Sequence, residues 1–161
     1  SNADTILGGS KNDVINGGGG ADKMSGGAGA DKFVFAAATD SSLAKMDVIT
    51  DFSANTYGQV TDGAVDAYGA NVTSTKWTGD VLDFDAVTTM SKIALAVYTN
   101  AADATVFIQN NGNNTSDTLG AALDSTTGNL YIDLTSDGTV DMVIKLAGVT
   151  TLTTAAFADL A

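Results

Sequence analysis

Aspartates recur at a fixed interval near the start of this chain, with glycines filling the places before them. Three consecutive nonapeptides run from Gly8 to Asn16, Gly17 to Ser25 and Gly26 to Val34. The sixth place of each holds an acid (Asp13, Asp22, Asp31) and the eighth an apolar residue (Ile15, Met24, Phe33). Glycine lets a loop turn tightly enough to aim backbone carbonyls at a common centre, and the aspartate adds a carboxylate. Such an all-oxygen donor set suits a hard cation; calcium takes about six to eight oxygens, so one loop supplies about half a shell and two are needed per ion. The residues put forward as ligands are Gly8, Ser10 and Asp13; Gly17, Gly18, Gly19, Gly20 and Asp22; and Gly26, Gly27, Gly29 and Asp31.

A loop followed by a short strand cannot bury its own apolar residue, so the units must coil and stack. With two nonapeptides per turn, loops eighteen residues apart lie over one another, pairing Asp13 with Asp31 and Asp4 with Asp22. Ile15, Met24 and Phe33 then stack into a core. Asp4 and Ile6 continue the register backwards, and Asp40 falls nine residues after Asp31, although Phe35, Ala36 and Ala38 stand where loop glycines belong. Asp40 is expected as a terminal ligand that decides between one and two well-occupied ions. Lys11 replaces a glycine at the fourth place of the first unit and either weakens the Asp13 site or points into water.

This nonapeptide resembles the calcium-binding repeat of RTX proteins, a parallel β-roll. The segment after it, with Phe33-Val34-Phe35, Asp40-Ser41, Asp47 to Phe52 and Gly79 to Phe84, is similar to the one that caps the roll in serralysin-type metalloproteases. That resemblance implies that aspartates here complete the last calcium sites, which makes Asp47 and Asp51 ligand candidates; Asp80, Asp83 and Asp85 carry less weight. The stretch from Ala122 to Phe157 looks like the C-terminal tail of many RTX proteins, which carries a signal for type I secretion machinery. The implied setting is a secreted or cell-surface bacterial protein whose larger N-terminal portion sets the activity.

Composition narrows the chemistry further. The chain has 161 residues, no histidine, cysteine, proline, arginine or glutamate, and a formal charge of -12. Without imidazole or thiol the usual nucleophiles and bases are missing, so no enzyme is expected. An aspartate-only site of the glycosidase kind, for which Asp83 and Asp85 share a strand face, is the remote exception. Nucleic acid wants a basic surface and is not an expected partner. No segment approaches the length of a membrane span.

Three sections are expected: residues 1–3 as a tag-cleavage scar, 4–34 as the repeats, and 35–161 as a β-rich capping and secretion-type region. The fold class is all-β, a short parallel β-roll running into an antiparallel, sandwich-like C-terminal part with one or two short helices. Strands are expected over Lys32–Phe35, Asp47–Phe52, Gly79–Asp85, Ile93–Val97 and Ala104–Ile108, with an excursion or hairpin over Ser53–Thr78. Asn110 to Asn114 reads as a turn, and Ser116 or Asp117 as the cap of a short helix through Leu123. Gly128–Asp133 and Val140–Leu146 form a hairpin around Asp137-Gly138, in which Asp133, Asp137 and Asp141 resemble a metal loop but lack the closing glutamate. A terminal helix is expected over Thr154–Leu160.

The function expected is a calcium-dependent folding and secretion module. Metal-free, stacked carboxylates such as Asp13 and Asp31 would repel by ~4 kcal/mol at a separation of about 4 Å and an effective dielectric of about 20. Calcium reverses that sign and becomes part of the folding free energy. The alternative is a surface-layer or adhesin module in which calcium drives self-association.

Overall fold

The computed structural model describes residues 2–53, 59–65, 71–75, 79–84, 86–87, 92–111 and 118–157. For 59–65, 71–75, Lys92, Asn110 and Asn111 it describes the backbone alone.

The described residues are mostly β with one α-helix. The repeats deliver β1 (Thr5–Gly9), β2 (Val14–Ile15), β3 (Lys23–Gly27) and β4 (Lys32–Val34), and the next turn delivers β5 (Asp47–Ile49). β1 pairs with β3 in parallel, Ile6 opposite Met24, while β2 pairs with β4, Ile15 opposite Phe33. Both registers are eighteen residues, so two nonapeptides close one turn. Alternation along strands this short turns one residue inward. Ile15, Met24 and Phe33 are accordingly buried, with Ile6 packed partly against them.

After β5 the chain leaves the coil for β6 (Gln59–Val65) and β7 (Asn71–Thr75), an antiparallel pair that forms its own sheet, and re-enters at β8 (Val81–Asp83) beside β4. The excursion expected over Ser53–Thr78 is therefore a hairpin where it is described. Phe33 packs on Phe52, and Phe35 stacks on Phe84 at 5.4 Å. Phe84 also meets Phe157, and Phe157 bridges to Leu82, so the tail plugs the end of the roll.

The remaining elements are β9 (Lys92–Tyr98), α1 (Ala101–Asn111), β10 (Thr118–Asp124), β11 (Asn129–Asp133) and β12 (Met142–Leu146). Their strands continue the larger sheet of the coil. β12 pairs with β5 in parallel, giving one seven-stranded mixed sheet in the order β1-β3-β5-β12-β11-β10-β9, with a three-stranded sheet β2-β4-β8. Residues 4–34 and 35–161 thus share a sheet. The expected β11–β12 hairpin is present, its connection running from Leu134 to Asp141 around the expected Thr135–Gly138 turn.

Three local expectations fail for identifiable reasons. Ala104–Ile108 is helix: Asn100 accepts the Asp103 N–H and donates to its carboxylate, a reciprocal cap. Ala104 and Ile108, four apart, then bury one helical face against Ala122, Tyr131 and Val143. Thr118–Asp124 is a strand, because β9 flanks it on one side and β11 on the other, and Leu119 to Leu123 are buried throughout. A strand buried on both faces shows no two-residue alternation and imitates a helical pattern. Its expected cap at Ser116 or Asp117 lies outside the described residues, as does the turn beyond Asn111. At the tail, Thr154–Ala156 forms one 3-10 turn ending at Phe157; residues 158–161 and Asp85 also lie outside.

Candidate metal centre

The aspartates of the coil form two hydrogen-bonded ladders. In one, the Asp4 N–H donates to Asp22 Oδ1 at 2.8 Å, and the Asp22 N–H donates to Asp47 Oδ1 at 2.8 Å. In the other, the Asp13 N–H donates to Asp31 Oδ1 at 2.9 Å, and the Asp31 N–H to Asp80 Oδ1 at 3.0 Å. The pairs Asp4–Asp22 and Asp13–Asp31 are those expected from the eighteen-residue turn. One oxygen of each accepting carboxylate is thereby fixed by a backbone donor, which aims the other.

Carboxylate oxygens left without a donor are the chemical core of the site. Oδ2 of Asp13, Asp22, Asp31 and Asp47 is buried and accepts no hydrogen bond. An anionic oxygen buried without a donor costs several kcal/mol, roughly, unless a cation or proton meets it. Each of the first three points back into its own loop. A side chain added at Gly8 would lie 2.8 Å from Asp13 Oδ2, one at Gly17 2.7 Å from Asp22 Oδ2, and one at Gly26 2.1 Å from Asp31 Oδ2. Every loop therefore leaves a cradle at its first glycine, facing a carboxylate oxygen.

Backbone oxygens close on the same loops from one turn away. The Gly26 carbonyl lies 2.4 Å from the Cβ position of Gly8, and the Gly9 carbonyl 2.1 Å from that of Gly27. Gly20 faces the Asn2 carbonyl and Gly29 the Lys11 carbonyl in the same manner. Gly27 also holds φ +91, which only glycine adopts without strain. Lys11 contributes this backbone carbonyl while its side chain is exposed to water. Gly18 N–H donates to Asn16 Oδ1, Gly19 is half-buried, and Ser10 is exposed at the loop rim.

Asp40 and Asp51 are held differently. Asp40 Oδ2 accepts the N–H groups of Ala36 and Ala37 and stands off both ladders. Asp22 is partnered by Asp4, as its register predicts, and by Asp47; Asp40 is not bonded to it. Asp51 spends both oxygens on the third loop, Oδ1 on Gly26 N–H at 3.0 Å and Oδ2 on Gly27 N–H at 2.9 Å and the Ser25 hydroxyl at 2.6 Å. Sequence reasoning gave little weight to Asp80, which ends the second ladder. Its only signal was the Gly79-Asp80-Val81-Leu82 segment, set apart from Asp47 by the excursion.

The electrostatics follow from this packing. Burial pushes the Asp47 carboxyl up to about 7; the Asp22 N–H opposes the rise, and the charges of Asp22 and Asp40 add to it. Asp80 is raised by burial, against the pull of the Ser53 and Asp31 N–H groups and with help from the charges of Asp31 and Asp51. For Asp51, burial works upward but is outweighed by the Ser25 hydroxyl and the Gly27 and Gly26 N–H groups, so its carboxyl sits below the ordinary value.

The loop from Asp133 to Asp141 has no comparable unmet oxygen. Asp133 accepts from Thr135 and Gly138, Asp141 from Leu134 and Thr135, and Asp137 from Thr139. Among the described residues no three acidic side chains gather as a ready-made cluster. A shell drawn mainly from carbonyls, with a carboxylate from each loop, would not need such a cluster. No helix among the described residues is long and apolar enough to cross a membrane.

Residues 1–33 match the RTX calcium-binding nonapeptide repeat family, described as four copies. Repeats of this family imply calcium binding in a secreted bacterial protein. No curated protein matches the chain significantly.

Proposed function

We propose that this chain is a calcium-binding C-terminal module of a secreted bacterial protein, which folds when calcium binds after type I export. The observation that carries the reading is the set of four buried, donorless oxygens, Oδ2 of Asp13, Asp22, Asp31 and Asp47, the first three facing the opening glycines of stacked loops. These four carboxylates, with carbonyls from the loops at Gly8, Gly17 and Gly26, would hold the ions. Asp4 stands at the rim of the first ladder, and Asp40 and Asp51 brace the loops through N–H groups. Calcium supplies the positive charge that the carboxylates lack.

The chain's own residues make the folding conditional. Without the ion, like charges at Asp22, Asp40 and Asp47 oppose closure of the last turn, and the glycine loops lose much backbone entropy on ordering. Extracellular calcium modules bind at roughly 0.1 to 1 mM, so a calcium-poor cytosol leaves the repeats loose and the outside medium closes them. The partners are then calcium, the type I secretion machinery and the N-terminal remainder of the polypeptide, and no catalytic step is assigned. Calcium should raise the β-signal in circular dichroism and the melting temperature, with chelator reversing both; indifference to calcium and chelator rejects the reading.

A second reading, a surface-layer or adhesin module, draws support from Leu7 and Val14, 75% and 74% exposed on the outermost strands of the roll. Particle growth in light scattering on adding calcium favours it; a monomer with and without calcium rejects it.

A further inference from the structure

Asp80 departs from the pattern of the other ladder residues in one respect. Its Oδ1 accepts the Asp31 N–H as the ladder requires, but its Oδ2 accepts the Ser53 N–H at 2.7 Å. The Asp80 N–H in turn donates to the Ser53 carbonyl at 2.8 Å. Ser53 and Asp80 are the two feet of the excursion that carries β6 and β7, and this reciprocal pair clasps them together. Asp80 is 3% exposed, so its two oxygens are met by protein donors inside the fold.

The clasp fixes the neighbouring ladder residue. The Asp31 N–H is held by Asp80 Oδ1, and Lys32, next in sequence, is anchored by an ion pair to Asp83 at 2.9 Å. The Val81 N–H donates to the Asp31 carbonyl at 2.8 Å. Asp31 is thus tied on its N–H to Asp80 and on its carbonyl to the start of β8, while its own Oδ2 stays buried, donorless and aimed at Gly26.

We propose that Asp80, clasped by the Ser53 N–H, is a positioning residue that aims Asp31 at its cation and ends the second ladder without binding an ion itself. This rests on the calcium reading above. The excursion then sits at a joint that protein donors close, so the coil can carry an insertion between consecutive turns and still present Asp31 correctly. Residues that orient metal ligands change affinity by about 10- to 100-fold when removed.

The test is a calcium titration by calorimetry of the full chain and three variants. Asp80→Asn removes the charge and sets an amide against the Ser53 N–H; Ser53→Pro removes that N–H and leaves every carboxylate in place. Asp137→Asn makes the same charge change in an exposed loop that belongs to neither ladder. The expected result is about 10- to 100-fold weaker binding at one site in both clasp variants, with the Asp137→Asn isotherm like the parent. A purely structural role would lower the melting temperature in chelator and leave affinity unchanged. If both clasp variants bind like Asp137→Asn, the positioning role is wrong. If the parent chain itself takes up no calcium, the underlying reading fails first. Should Asp80→Asn not fold, Ser53→Pro alone decides.

Discussion

The Asp13 N–H donates to Oδ1 of Asp31, eighteen residues and one turn later, at 2.9 Å, and Oδ2 of both residues is left buried without a donor. One hydrogen bond thereby spaces the turns and leaves one oxygen per loop to be met by something that is not protein.

Asp31→Ala should remove one ion together with its contribution to stability. At about 100-fold excess over Kd one site contributes ~2.7 kcal/mol, which for a chain of this size shifts Tm by about 5 to 10 °C. Asp51→Ala should also lower Tm, since the Gly26 and Gly27 N–H groups lose their acceptor, but with the number of bound ions unchanged. Equilibrium dialysis beside thermal melts separates the two; equal ion counts in both variants would show that Asp31 is no ligand.

Gly27→Ala should destabilise the calcium-bound form by about 1 to 3 kcal/mol from backbone strain alone, because Gly27 holds φ +91. The new Cβ would also lie 2.1 Å from the Gly9 carbonyl, so the two turns must part. Gly18→Ala meets no neighbouring atom within 4 Å and bears only the strain of φ +69. Calcium-dependent melts that rank Gly18→Ala below Gly27→Ala in stability would contradict this stacking.

The pH response of the metal-free protein follows from Asp47. Its folded-state pKa, about 7, lies above the ordinary 3.8, so the folded state binds the extra proton between those values. Stability from this group is complete below about pH 4 and is lost as pH rises to about 7. Asp80 acts in the same direction. In chelator, Tm should therefore fall from pH 5 to pH 7.5, and calcium should flatten that slope because the ion takes the proton's place. Asp47→Asn should remove much of the slope, and a chelated Tm that climbs steadily over this range would count against the buried-acid description.

The repeats could be read from sequence because each place has a separate physical job: Ile15, Met24 and Phe33 needed a core, Gly27 a positive φ, and Asp13 and Asp31 a partner one turn away. What followed was less legible. Asp80 lies forty-nine residues from Asp31, and no local pattern announces that an excursion will return it to the ladder. Asp40 sits nine residues after Asp31 and matched the period, yet Ala36 and Ala37 turn the chain and take its carboxylate. Thr118–Asp124 and Ala104–Ile108 exchanged strand and helix, since double-sided burial and a short capped helix both blur the period.

Ile108→Ala should cost about 2 to 5 kcal/mol, because its side chain is fully buried between α1 and the sheet. Calcium affinity should remain that of the parent, since α1 packs far along the sheet from β1 and β3. Melts in chelator and calorimetry at a temperature where the variant is folded check both halves; weakened binding would mean that the helix and the coil are coupled.

Hydrogen exchange resolved along the chain, in calcium and in chelator, distinguishes a coil closed by the ion from one that folds without it. Amides in the loops from Gly8 to Asp31 should be protected only with calcium, while those of β10, β11 and β12 keep substantial protection in chelator. Equal protection of the repeat loops in both conditions would contradict closure by the ion.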